Sequence, residues 1–416
     1  MTTVIPKERY TSAEYLRAEG EHLWPRVWLM AGLSTDLPSP GCYLTFELGM
    51  ESVLVVRQQE GVRAFHNVCM HRGRRLCEPG MGRAESFRCP YHGWQWATDG
   101  QLARVPDPAA FPGGVPESSS RLKGVACTEW AGFVWVFLSP DPPPLSEFLG
   151  AVAPLIEVYR PQDYALVEDL TLDVPCNWKV CVDAFNEVYH LRSVHPEILG
   201  FVDDVNVRTD VFGLHGRLTV PFYIPSPRKA DRHSIDRGLR WLLEEQARLE
   251  PAQITGSALE MREKVQQRIR GRAERGEFDC SGLSDDQLSD NNHFHVFPNL
   301  QLDLYALTMQ NLRARPHPTD PGRMLVDQQR FERIPRGTPR PRRPAHTVFA
   351  FGQGSLGAVT DQDMFNLVRV QQGMASSGFD GLVIGDQEDL IRHLHQSLDR
   401  YVPWPRRIGA STAPSI

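Results

Sequence analysis

The sequence predicts an α+β protein: a small antiparallel-β domain followed by a larger domain of helices and antiparallel sheet. Three observations predict it. Between Gly41 and Leu138, short runs rich in β-branched and aromatic residues alternate with turn residues, the texture of a β-meander. Pro140 to Pro144, followed by Pro161, then breaks the chain. Beyond the break, segments with helical spacing stand beside segments that alternate like strand. The 416 residues exceed the ~100–200 of one ordinary domain. The expected division is an N-terminal helical segment over 1–40, the β domain over 41–155 and the larger domain over 156–416.

Residues 12–32 read as mostly helical, divided at Pro25, because Trp24 before a proline is biased away from the helical region. Residues 43–47, 53–57 and 62–66 read as strands, with Glu60-Gly61 supplying a turn, and 131–138 as a further strand of the same sheet. In the second domain 177–195 reads as one helix. Residues 235–249 carry Ile235, Leu239, Leu242 and Leu243 at helical spacing. The polar, charged stretch 258–273 reads as a solvated helix, and 294–308 alternates like strand. A proline- and arginine-rich loop covers 336–343, and 360–374 is again helical.

The composition excludes several classes. A formal net charge of −6 without a sustained basic helix gives no purchase on nucleic acid. The first ten residues are polar, unlike a signal peptide. No apolar run approaches the ~20 residues needed to span a bilayer, so a cytoplasmic protein without membrane contact is expected. Eight cysteines are too sparse for a disulfide scaffold, and clustered ones read as ligands or reactive thiols.

Two constellations carry chemistry. The first is Cys69-Met70-His71 and, 17 residues on, Cys89-Pro90-Tyr91-His92. Two thiolates and two imidazoles suit a tetrahedral zinc or a [2Fe–2S] cluster with both cysteines on one iron and both histidines on the other. Zinc pairs usually keep like ligands together; here each loop carries one Cys and one His and can contribute to both irons, which suits a cluster pinched between two loops. Gly73, Gly80, Gly82 and Gly93 let the backbone approach. Cys42, Cys77, Cys127, Cys176, Cys181 and Cys280 lack partners at ligand spacing and read as buried small apolar residues.

The second lies in Asn177 to Pro196. Asp183, Glu187 and His190 stand at i, i+4 and i+7, one face of a helix. Asp183 and Glu187 are candidate catalytic acids, and a solvated face is the plain alternative for both. His195 is five residues past His190, but Pro196 loosens the helix and lets it swing round. Two histidines and a carboxylate make the facial triad of non-haem Fe(II) oxygenases.

The stretches His66–Gly73 and Cys89–Trp94 resemble the two cluster loops of Rieske non-haem iron oxygenases, and 183–195 resembles that family's acidic-x3-acidic-x2-His-x4-His motif. Met70 stands where the family often has Pro. The resemblance implies a [2Fe–2S] cluster on Cys69, His71, Cys89 and His92, and a mononuclear Fe(II) on His190 and His195. It implies that Glu187 links His190 to His92 of a neighbouring subunit. The family's third ligand heads a late helix ahead of Gln-x-Gly; Asp363, eight residues before Gln371, matches that place. Asp361 is a rival, and Thr360 to Asp363 also fits a helix-capping box. Gln362 replaces the Glu often found there. His293, His295, His393 and His395 receive no role.

The implied activity is that of an oxygenase catalytic subunit that takes O2 and hydroxylates an organic substrate, with an aromatic one expected. The alternative is a monooxygenase or N/O-demethylase acting on a choline- or betaine-like or methoxy substrate, since Glu187 stands where most ring-dihydroxylating members have Asp. No G-x-G-x-x-G follows a strand, so electrons come from a separate NAD(P)H-dependent reductase, directly or through a ferredoxin. The resemblance implies a homotrimer, alone or with small β subunits.

Overall fold

The computed structural model describes residues 3–404; the outer ends of the sequence ranges 1–40 and 156–416 lie outside the described residues. The apolar strand pattern builds a seven-stranded antiparallel sheet, in spatial order Leu29–Leu33, Phe133–Phe137, Gly124–Trp130, Val62–His66, Glu51–Arg57, Cys42–Leu48, Met81–Arg83. A three-stranded sheet, Ser86–Arg88, Gln95–Ala97 and Leu102–Arg104, stands beside it and carries the second cluster loop. The strands foreseen at 43–47, 53–57, 62–66 and 131–138 are all present.

An eight-stranded sheet follows: Arg208–Phe212, His215–Val220, Asn291–Val296, Leu300–Leu304, Thr308–Pro316, Met324–Arg333, Tyr164–Val174 and His346–Ala350 in spatial order. It is antiparallel except for the last pair. Four helices matter for the site: α1 (Ala13–His22), α2 (Trp178–Phe185), α3 (Ala358–Met374) and α4 (Asp389–Leu398). Two arginines of Thr308–Pro316 tie the sheets together. Arg313 donates to the Met30 carbonyl (2.5 Å) and Arg315 to the Glu47 carbonyl (3.0 Å), and both are anchored on Asp327. Those two cations hold the Asp327 carboxyl well below the ordinary range, against the opposing effect of burial.

Four expectations are corrected. The helix of 12–32 ends at His22; Pro25 sits in a short 3-10 turn, and Leu29–Leu33 is a strand, because it pairs with the wholly buried Phe133–Phe137. The chain before it also starts as a strand, Thr3–Pro6, paired with Gly381–Ile384. The helix of 177–195 stops at Phe185, so Glu187 and His190 do not share a helical face with Asp183. There the Glu187 carboxylate accepts the His190 backbone N–H (3.1 Å), a local bond that competes with helix continuation. Met261–Glu274 is helical but not merely solvated: Met261, Val265 and Ile269 form a buried stripe. The 294–308 segment is two strands of a hairpin rather than one.

Candidate metal centres

The two loops of the first constellation repeat one backbone design. Cys69 N–H donates to the Arg74 carbonyl (2.8 Å) and Gly73 N–H to that of Cys69 (2.9 Å); Cys89 N–H donates to Trp94 (2.8 Å) and Gly93 N–H to Cys89 (2.9 Å). Gly73 and Gly93 both take φ +75°, a left-handed conformation that only glycine adopts without strain. Asn67 locks the first loop: its Oδ1 accepts from Leu76 and Cys77 N–H, and its Nδ2 donates to the Cys77 carbonyl and Ser52.

The loops bring the four predicted ligands together. Cys69 and Cys89 are buried, and the His71 and His92 rings lie 4.7 Å apart, His71 stacked on Trp94. Burial, with the neighbouring Cys89 adding to it, pushes the Cys69 thiol above its ordinary value. His92 Nδ1 is buried without a hydrogen-bond partner. Two adjacent buried sulfurs and an orphaned ring nitrogen fit metal binding, and the donor set fits a [2Fe–2S] cluster. Of the other six cysteines, Cys176, Cys181 and Cys280 are buried as expected, while Cys42, Cys77 and Cys127 are only partly buried; desolvation still pushes Cys77 and Cys127 up to about 11.

The second site assembles from two distant segments. His190, His195 and Asp363 place one ligand atom each within 4.8 Å of one another. His195 Nε2 lies 2.7 Å and His190 Nε2 3.6 Å from Asp363 Oδ1. The far nitrogen of each ring is held: His190 Nδ1 meets Glu187 Oε1 at 2.6 Å, and His195 Nδ1 meets Gln362 Oε1 at 2.6 Å. Both acceptors fix the Nδ1–H tautomer, leaving both Nε2 lone pairs aimed at a carboxylate. Lone pairs so converged repel unless a cation or proton lies between them, and the set of two imidazoles and one carboxylate fits Fe(II).

Asp361 and a capping box are the alternatives that the sequence offers at this helix start. The N-cap of α3 is Gly357, so Thr360 lies inside the helix and caps nothing. Asp361 accepts from Ser355 Oγ (2.5 Å) and Leu356 N–H (2.8 Å), bracing the preceding loop away from the histidines. Asp183 is not at this cluster; its Oδ2 accepts from Tyr10 (2.6 Å). Gln362 is a further residue of this site, and its place beside Asp363 is the sequence signal for it. His293 pairs with Asp303 (2.9 Å), and burial pushes His295 down to about 3.

Two centres on these folds define a Rieske-type oxygenase component. The Rieske [2Fe-2S] domain family matches residues 27–123, and the ring hydroxylating alpha subunit (catalytic domain) family matches residues 161–404. The second match covers more than half of the chain, which therefore belongs to the ring-hydroxylating alpha-subunit family. The glycine betaine monooxygenase oxygenase subunit of Pseudomonas aeruginosa is 31% identical over 47% of this chain and 45% of its own length. The biphenyl 2,3-dioxygenase subunit alpha of Rhodococcus jostii is 35% identical over 44% of this chain and 41% of its own. The matched part thus spans less than half the length of these relatives. A quaternary ammonium Rieske monooxygenase solved with L-carnitine superposes with a TM-score of 0.70 at 18% identity, covering 96% of this chain and 95% of that one. Naphthalene 1,2-dioxygenase gives 0.66 at 19% identity, over 95% and 91% of the two chains. Both share the fold. Among the described residues no helix is long and apolar enough to cross a membrane.

Proposed function

We propose that this chain is the oxygenase component of a multi-protein system, taking electrons from a separate NAD(P)H-dependent reductase, directly or through a ferredoxin, to hydroxylate an organic substrate with O2. The observation that carries it is the convergence of His190, His195 and Asp363 in a chain that also presents Cys69, His71, Cys89 and His92 on paired loops. These seven residues would hold the metals. When bound, the cluster supplies single electrons and the mononuclear iron supplies a centre that activates O2. The chain's own residues supply the rest. Glu187 and Gln362 hold the two imidazoles as Nδ1–H tautomers, and Asp363 would balance the charge of a bound metal.

Glu187 makes no bond to His92 within one chain, in keeping with a bridge between subunits. Tyr91 (55% exposed) and Tyr189 (50% exposed) flank His92 and His190, large apolar surfaces that an adjoining copy would cover. An adjoining copy meets both observations, and the family resemblance makes the assembly a trimer.

The substrate reading is a quaternary ammonium compound, supported by the betaine and carnitine relatives and by Glu187 at the bridging position. An aromatic ring is the second reading, supported by the biphenyl dioxygenase relative. Metal analysis should find about three irons per chain, and the reduced protein should show a Rieske EPR signal. Zinc without iron would refute the assignment. Product assays with glycine betaine, carnitine and biphenyl separate the two substrate classes.

A further inference from the structure

Tyr10, Asp183 and His395 form a buried cluster that the ligand sets do not use. They come from three separate parts of the chain: the N-terminal segment, α2 and α4. Tyr10 is 0%, His395 4% and Asp183 5% exposed. The hydrogen bonds run in one direction. Arg9 Nη1 donates to the His395 carbonyl (3.2 Å) and faces His395 Nδ1 (3.4 Å), so the ring proton sits on Nε2. That nitrogen lies 2.8 Å from the Tyr10 oxygen, and Tyr10 O–H donates to Asp183 Oδ2 at 2.6 Å.

The surrounding charges cancel in pairs except at one group. Arg9 is bridged to Asp399, and Lys179 to Glu19 at 2.6 Å with both side chains fully buried. Asp183 is the carboxylate left over, and its charge is borne by Tyr10 and His395. Burial, reinforced by Asp183, pushes the Tyr10 phenol well above its ordinary value, and burial lowers His395, so both stay neutral at rest.

The chain of donors ends on unfinished bonding. Asp183 Oδ1 is buried without a hydrogen bond, with His395 Nε2 3.4 Å away; the same nitrogen lies 3.5 Å from Asp183 Oδ2, a longer contact than the one through Tyr10. Three residues on, Asn186 is wholly buried and both its Oδ1 and Nδ2 are unpartnered. A buried water typically makes about three hydrogen bonds to such groups. Asn186 is followed directly by Glu187, whose carboxylate holds His190. The Tyr10 carbonyl accepts from Gln371 (3.4 Å), two turns along α3 from Asp363. The cluster thus touches both segments that carry the mononuclear site: Asp183 lies on α2, which leads into 187–195, and Tyr10 meets α3.

We propose that Asp183 and Asn186 hold a buried water beside the mononuclear iron site, and that His395, Tyr10 and Asp183 deliver protons to that site through it. The proposal rests on the oxygenase reading. Hydroxylation of C–H by O2 consumes two electrons, supplied by the reductase, and two protons, and yields C–OH and water. In each relay step Arg9 Nη1 moves off His395 Nδ1 and a proton enters there while Nε2–H passes to the Tyr10 oxygen. The Tyr10 proton passes to Asp183 Oδ2, and Asp183 releases its proton to the water. No electron moves in these steps; one proton enters for each one delivered, and His395, left as the Nδ1–H tautomer, is reset by exchange of its ring proton back to Nε2 before the next transfer.

The first test needs no turnover. A high-resolution crystal structure of the iron-loaded protein should show a water bonded to Asp183 Oδ1 and to the Asn186 amide. If those atoms are bonded only to other protein groups, the relay is overturned. The second test uses pre-reduced holoprotein mixed with O2 in H2O and in D2O, following cluster reoxidation by absorbance. The wild-type rate should fall in D2O. Tyr10→Phe and Asp183→Asn, which keep shape but break proton transfer, should slow reoxidation by up to ~10²-fold with metal content and Rieske EPR signal unchanged. A wild-type rate and isotope effect in Asp183→Asn would overturn the proposal even if Tyr10→Phe failed to fold. Loss of the oxygenase reading itself would appear separately, as absence of iron and of the Rieske signal in the wild type.

Discussion

Replacing Gln362 by leucine tests how the mononuclear site is held. His195 is fully buried, and its Nδ1–H reaches one acceptor, Gln362 Oε1 at 2.6 Å. Leucine fills similar space and accepts nothing. A buried donor left unpaired costs ~1–3 kcal/mol, and each ~1.4 kcal/mol is tenfold in binding. In the metal-free protein the imidazole escapes that cost by moving its proton to Nε2, where Asp363 Oδ1 at 2.7 Å accepts it. Iron binding must then displace that proton and restore the unpaired Nδ1–H. The penalty therefore falls on iron affinity rather than on folding, by ~10–100-fold, the range seen for partners of metal-bound histidines. Gln362→Glu keeps an acceptor and should retain affinity. Iron titration followed by the EPR signal of the nitric oxide adduct measures the mononuclear site, with the Rieske signal as internal control. Wild-type affinity in Gln362→Leu would refute the tautomer argument, and parallel loss of the cluster would show general misfolding instead.

Other substitutions separate the remaining roles. Asp363→Ala should lose the mononuclear iron and keep the cluster, while Asp361→Ala should keep both metals and lose only the brace to Ser355 and Leu356; metal analysis distinguishes them. Glu187→Gln makes one end of the side chain a donor, so one bond of the bridge must fail. Both metals should still bind, but rapid mixing of the pre-reduced variant with O2 and substrate should show much slower cluster reoxidation, and a wild-type rate would remove the bridging role. Glu19→Ala leaves Lys179 fully buried without its carboxylate partner, and should destabilise the fold by ~3–5 kcal/mol in urea unfolding.

Local pattern made the first centre legible. Its four ligands lie within 24 positions, on two loops whose glycines and Cys-x-His and Cys-x-x-His spacings fix the backbone close to the metals. The strands around them alternate strongly enough to be read directly. His190 and His195 were also visible, because five residues and a following proline confine them to one short stretch.

Burial and pairing decided what the pattern could not. Leu29–Leu33 carries helix-compatible residues, yet the apolar Phe133–Phe137 beside it makes it a strand. Asp183 has the right spacing to join Glu187 and His190, but a side-chain bond within 187–190 ends the helix first and turns it to Tyr10 instead. Asp361 and Asp363 are nearly equivalent in sequence, and both lie on one helix near its start. They differ by two positions, about 200° around the axis, so one braces a loop and the other meets two histidines 168 and 173 residues away. Gln362 shows the same limit. The sequence by itself determined which residue types could bind the metals; which acid completes the second site, and which groups hold its imidazoles, follow from helix phase and from contacts between distant segments, which no local spacing encodes.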